Sequence, residues 1–195
     1  MVRQKIWPDH PVEQSYPLTL TTRSIPLNWS DQLLESLRSN DVDLTIYVPD
    51  EVLTPLIRGA EDDPNMEAFP ASREEEAIGI AAGAALGGRR SVVLMQSSGY
   101  GNSVNALASL AVPYQLPILM IIGERGVLGE FNPVQVPISR SIRPSLDAMG
   151  IPHRTLERED EVAPVADRMM LQCFRTQLPA VLFINALLTG GKNDR

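Results

Sequence analysis

From residue 30 onward the apolar positions alternate between a helical and an extended spacing. Leu33, Leu34 and Leu37 share one face of a helix predicted over 30–38, with Ser30 as its N-cap. Residues 44–48 are a short β-rich apolar run, read as a strand. The turn Pro49-Asp50 follows, and Asp50 is placed to cap a helix over 51–58. A strand over 66–71 and a helix over 74–86 come next, the helix closing at Gly87-Gly88. The pattern then predicts a strand over 91–95, a polar glycine turn over 96–102, a helix over 102–111 and a strand over 117–122. Residues 123–140 contain Pro133 and Pro137 and read as a long loop, too long for a mere connection. A helix over 144–149, a weak strand over 151–156, a helix capped by Asp160 and running to 177, and a strand over 180–185 complete the series.

Strands and helices therefore alternate. The strands are continuous apolar runs, which suits parallel strands covered on both sides. The expected fold is α/β: a doubly wound, mainly parallel sheet with helices on both faces. Residues 1–27 break the rhythm. Pro8, Pro11, Pro17 and Pro26 remove backbone donors and fix φ, so this stretch reads as an extended arm. The organisation expected is an arm over 1–27, one domain over 28–188 and a tail over 189–195.

Composition narrows the function classes. A net charge of −7 argues against a nucleic-acid groove. No apolar run approaches the roughly 20 residues that span a bilayer, and no apolar run follows Arg3 and Lys5 as a secretory signal would require. One cysteine, Cys173, excludes an intramolecular disulfide framework, and a cytoplasmic setting is expected. Cys173 sits in an apolar helical context and reads as a buried, inert thiol. Neither His10 nor His153 has triad partners, and no His/Cys spacing suggests zinc.

Chemistry concentrates in three turns that follow strands: Pro49-Asp50-Glu51, the turn beginning at Gln96, and Gly123-Glu124-Arg125-Gly126. In a doubly wound sheet all three fall at the carboxyl edge, where ligands bind. Glu74, Glu75 and Glu76 open the small-residue helix. Acids in a first turn are favoured by the helix dipole and can simply be solvated. However, Gly79, Gly83 and Gly87 recur every four residues and leave one helix face bare. A partner packed there would shelter the helix start, and a sheltered carboxylate can trade protons near neutrality. The Ser97-to-Asn102 turn resembles neither a Walker loop nor a dinucleotide fingerprint. Arg125 and Arg140 flank the long loop, and each is either an anion contact or a solvated cation.

Taken in order, these segments resemble the thiamine-diphosphate enzymes, and more narrowly the pyrimidine-binding domain of the sulfopyruvate and phosphonopyruvate decarboxylases. That group carries an acid followed nine residues later by glycine, here Glu74 to Gly83. It carries a Met-Gln-x-Ser-Gly-x-Gly-Asn segment, here Met95 to Asn102. Val48-Pro49-Asp50 and Ile122-Gly123-Glu124-Arg125-Gly126 resemble its segments as well, and the likeness covers residues 30–187.

The resemblance implies a thiamine-diphosphate-dependent 2-oxo acid decarboxylase subunit. By spacing, Glu74 matches the glutamate that hydrogen-bonds the coenzyme's aminopyrimidine ring and activates it. Pro49, Gln96 and Asn102 would contact the coenzyme as well. Glu51, Gln96, Ser97, Ser98 and Arg125 would face the substrate. The family binds diphosphate through Mg2+ on a second domain marked by Gly-Asp-Gly, which this sequence lacks. The resemblance thus implies an α subunit that borrows a diphosphate- and Mg2+-binding β subunit in a hetero-oligomer, with no metal ligand of its own. Glu51 stands where relatives place a small residue, often Ser, and would repel a sulfonate or phosphonate; it points away, pairs with Arg125, or marks another 2-oxo acid. Two rival readings keep the fold: a non-catalytic assembly subunit, and a carboligase.

Overall fold

A computed structural model of the chain describes residues 28–191. The 1–27 arm and residues 192–195 of the expected tail lie outside the described residues. In chain order the elements are α1 (Trp29–Ser39), β1 (Val42–Tyr47), α2 (Thr54–Glu61), β2 (Glu67–Pro70), α3 (Glu74–Leu86), β3 (Arg90–Gln96) and α4 (Ser97–Ala106). A π-helical turn, Leu107–Ala111, extends α4. Then follow β4 (Leu119–Gly123), α5 (Gln135–Ala148), β5 (His153–Leu156), α6 (Glu159–Thr176), β6 (Ala180–Ile184) and α7 (Ala186–Thr189).

The six strands form one sheet in the order β2-β1-β3-β4-β6-β5, and every pairing is parallel. This is the doubly wound fold expected from the sequence. Alternate strand residues feed two separate cores. Val92, Leu94, Ile121 and Leu182 face α1, α2 and α6. Val93, Met95, Ile122 and Phe183 face α3, α4 and α5. Strands buried on both sides need no polar alternation, which is why they read as unbroken apolar runs. Chain order reverses between β1 and β3, since β2 lies on one side of β1 and β3 on the other. The carboxyl ends of these two strands frame the crevice where such folds bind ligands.

Several sequence expectations need correction. Asn28, not Ser30, caps α1, and its side chain accepts from Ser30 N and Asp31 N. Residues 96–102 are not a turn: α4 starts at Ser97, directly after β3. The 123–140 loop is shorter, because α5 begins at Gln135. Pro137 is the third residue of that helix, where a backbone N–H would have no helical partner, so proline is tolerated there. Arg158, not Asp160, is the N-cap of α6, and its backbone N–H donates to the Glu161 side chain at 3.1 Å. The short α7 was not expected. Cys173 is fully buried, and burial pushes its thiol up to about 12, which keeps it unreactive. Among the described residues, no helix is long and apolar enough to cross a membrane.

Candidate active site

The three acids that open α3 have three different fates. Glu75 pairs with Arg73 in the exposed first turn. Glu76 reaches back to the Ser72 N–H at 2.6 Å, closing the turn before its own helix. Glu74 instead turns toward α4, where Asn102 Nδ2 donates to its Oε2 at 3.0 Å. Its other oxygen rests over Gly99. A Cβ built on Gly99 would stand 2.2 Å from Glu74 Oε1. The glycine therefore supplies the space the carboxylate occupies, and Glu74 is half-buried. Solvated helix-end acids account for Glu75 and Glu76 and leave Glu74 apart.

Downstream of Glu74 the helix carries no charge or strong polarity from Ala77 to Gly88. Ala77, Ile78, Ala81 and Ala82 pack into the sheet. On the opposite side Gly79 and Gly83 face open space, with nothing within 4 Å of a Cβ built on either, and Leu86 at the helix end is exposed. An uncharged helix is ordinarily covered on all sides.

The other strand ends meet beside this helix pair. Asp50, after β1, is nearly buried. Its Oδ1 accepts from Val52 N and Leu53 N, both at 3.1 Å, so it caps the turn that precedes α2. Its Oδ2 accepts from Gln96 Nε2 at 3.0 Å, and Gln96 Oε1 accepts from Ser98 Oγ at 2.8 Å. Ser97 is fully buried, and its hydroxyl accepts the Arg125 N–H at 3.1 Å. The three polar segments thus converge at the same sheet edge, as the sequence suggested, although the one at Gln96 is the start of α4. Ser97, expected to face substrate, joins α4 to the loop after β4 instead. Ser98, Pro49 and Glu51 are exposed at this edge.

Arg125 is itself occupied. Its Nε and one terminal nitrogen donate to the two oxygens of Glu130, each at 2.7 Å. Gly126 N and Asn132 N complete the carboxylate's shell. This pair, with both side chains nearly buried, folds the loop back on itself. Arg125 also lies 5.6 Å from the centre of the Phe131 ring. Glu130, with Asp50 and Glu51 adding their negative charge, holds the guanidinium above its ordinary pKa. A cavity of about 110 Å3 borders Arg125, lined by Val52, Leu128, Phe131, Ala186 and Thr189 among others. It does not include Glu74. On the other side of the loop, Arg143 bonds the buried Glu124 at 2.6 Å and Thr155 Oγ1 at 2.7 Å. Sequence reasoning missed Asp50 as a strand clamp, and Glu130 and Glu124 as ion-pair partners. The one signal for Glu130 was an acid five residues after Arg125, in a stretch with no periodicity to fix its direction.

The Arg125 guanidinium, helped by the two backbone donors and opposed by burial, holds Glu130 well below its ordinary 4.5, at about 2. A lowered carboxylate pKa contributes stability that is complete above pH 4.5 and lost as pH falls toward 2. The shift corresponds to about 3 kcal/mol. Chemical denaturation at stepped pH should therefore show wild type losing more stability than Glu130→Gln between pH 4.5 and 2. Equal losses would mean that the pair holds no such energy.

Among the described residues, no group of three or more His, Cys, Asp or Glu side chains is placed to hold a metal ion. The geometry places one carboxylate, that of Glu74, at the rim of an uncovered helix. Residues 27–131 match the family described as thiamine pyrophosphate enzyme, N-terminal TPP binding domain, and the chain belongs to that family. Within it, the chain is similar to sulfopyruvate decarboxylase subunit alpha of Methanocaldococcus jannaschii, at 38% identity over 155 residues, covering 80% of this chain and 92% of that protein. The subunit of the same name from Methanococcus maripaludis is 34% identical over 161 residues, covering 83% of this chain and 96% of that one. Among solved structures, a 2-oxoglutarate:ferredoxin oxidoreductase from Magnetococcus marinus superposes with a TM-score of 0.64 at 12% identity, covering 84% of this chain. This chain spans 30% of that one, and the likeness shows the shared fold.

Proposed function

We propose that the chain is the α subunit of a two-subunit thiamine-diphosphate-dependent decarboxylase acting on a small 2-oxo acid of the sulfopyruvate type. The observation that carries this reading is Glu74: one carboxylate oxygen held by Asn102, the other over the bare Cα of Gly99, at the start of a helix with an open face. The relatives' designation as subunit alpha implies a partner subunit.

The residues fit the coenzyme. Glu74 Oε1 occupies a space that any larger residue at position 99 would fill, and Asn102 fixes the carboxylate through its other oxygen. When bound, thiamine diphosphate supplies an acidic carbon and an electron sink for cleavage of the carbon–carbon bond. Glu74 would hold the pyrimidine ring nitrogen through a shared proton. Pro49, Gln96 and Asn102 would line the ring, with Gln96 and Ser98 on the reacting side. Arg125 reaches a substrate anion only by exchanging Glu130 for it, and so serves first to hold the loop. In the net reaction the 2-oxo acid loses carbon dioxide and takes up a proton at the same carbon, leaving an aldehyde. Mg2+ and the diphosphate belong to the partner, which would cover Gly79 and Gly83 and exclude water from Glu74.

Reconstitution tests this directly. The chain alone should release no carbon dioxide from sulfopyruvate. Mixed with a partner that carries the diphosphate-binding domain, it should turn over, and thiamine diphosphate with Mg2+ should raise the melting temperature of the mixture. Full activity of the lone chain would overturn the divided site.

A further inference from the structure

We propose that Asp50 is a positioning residue that holds the Gln96 side-chain amide in a single orientation at the carboxyl end of β3. The proposal rests on the reading that Gln96 faces the reacting groups. A carboxylate accepts hydrogen bonds and does not donate them. With Asp50 Oδ2 at 3.0 Å, only the Nε2 side of the amide can turn toward it. The carbonyl oxygen is thereby sent to the opposite side, where the Ser98 hydroxyl donates to it at 2.8 Å. The Asp50 end specifies the amide: a flip would set the Gln96 carbonyl oxygen against the Asp50 carboxylate, two acceptors, whereas the Ser98 hydroxyl can accept as well as donate.

Asp50 is in turn unable to rotate. Its Oδ1 is engaged by the Val52 and Leu53 N–H groups. β4 passes close to it as well, with glycine leaving the room, since a Cβ on Gly123 would stand 2.9 Å from Oδ1. Three strand ends therefore brace one carboxylate, and that carboxylate orients one amide. Capping the turn before α2 requires only Oδ1; Oδ2 is spent on Gln96.

Asp50→Asn separates the two tasks. The shape is kept, and Asn Oδ1 still accepts from Val52 and Leu53. The new amide group opposes Gln96 Nε2, so Gln96 turns over and shows Ser98 a donor instead of an acceptor. In the reconstituted complex with sulfopyruvate, kcat should fall at least about tenfold, and the melting temperature should stay within about 3 °C. In the coenzyme-free chain, the Gln96 Nε2 protons, assigned by their absence in Gln96→Ala, should exchange with water at least about threefold faster in Asp50→Asn. In the Gln96→Ala background, Asp50→Asn should have no further effect on kcat. Wild-type kcat in Asp50→Asn, unchanged amide exchange, or a loss that persists in full in the Gln96→Ala background would each overturn the proposal. Wild-type turnover in Gln96→Ala would instead remove Gln96 from the site, while the exchange rates still report whether Asp50 holds its amide.

Discussion

Glu74→Gln should lower turnover of the reconstituted complex roughly 100- to 10,000-fold, the range expected when a proton-sharing group is removed. The substitution is selective. A glutamine can still offer its carbonyl oxygen to Asn102 Nδ2, so the contact between α3 and α4 survives. What it cannot do is share a proton through a carboxylate. The melting temperature should move little, while carbon dioxide release collapses. Glu75→Gln and Glu76→Gln are the controls. Glu75 forms an exposed pair with Arg73, worth about 0.2–1 kcal/mol. Glu76 serves the Ser72 N–H, a bond a glutamine oxygen can also accept. Neither should change kcat by more than about twofold, since neither meets α4. Wild-type turnover in Glu74→Gln would take Glu74 out of the chemistry.

The contrast among these three acids also marks how far the sequence could be read. Runs such as Val92–Met95 announced buried parallel strands, because burial on both faces demands an unbroken apolar stretch. The ends of α3 were legible for a similar reason: acids favour its start, and Gly87-Gly88 closes it. The start of α4 was not. Ser97, Ser98, Gly99 and Gly101 are poor helix formers and read as a turn. Their presence answers to contacts across space. Ser97 takes the Arg125 N–H, Gly99 admits Glu74, and Gly101 sits under Ile138. Such contacts join segments about 30 residues apart and leave no local period. Glu74 was singled out by its nine-residue spacing to Gly83, which matches the pattern of the resembled family. Its orientation toward Asn102, the Asp50 clamp and the Arg125–Glu130 pair depend on which strand ends the sheet order brings together.

Gly99→Ala sets local preference against site geometry. Within a helix, alanine is favoured over glycine by about 1 kcal/mol. Here the added Cβ would stand 2.2, 2.4 and 2.5 Å from Oε1, Cδ and Cγ of Glu74. Three side-chain atoms at once cannot be cleared by a small rotation, so the carboxylate has to leave. Because Glu74 is half-buried and its long side chain can rotate away from α4, the displacement is cheap for the fold, and stability should change by less than about 1 kcal/mol. Turnover should fall at least about 100-fold, the scale set by misplacing a catalytic group by an ångström or more. Gly101→Ala supplies the comparison, since its Cβ would meet only Ile138 Cδ1 at 3.1 Å, the far end of a flexible side chain. That variant should keep the helix gain and most of the activity. If Gly99→Ala and Gly101→Ala proved equally active, the close approach of Glu74 to α4 would have no part in turnover. If Gly99→Ala instead unfolded the chain, Glu74 would be anchored there more firmly than one hydrogen bond from Asn102 allows.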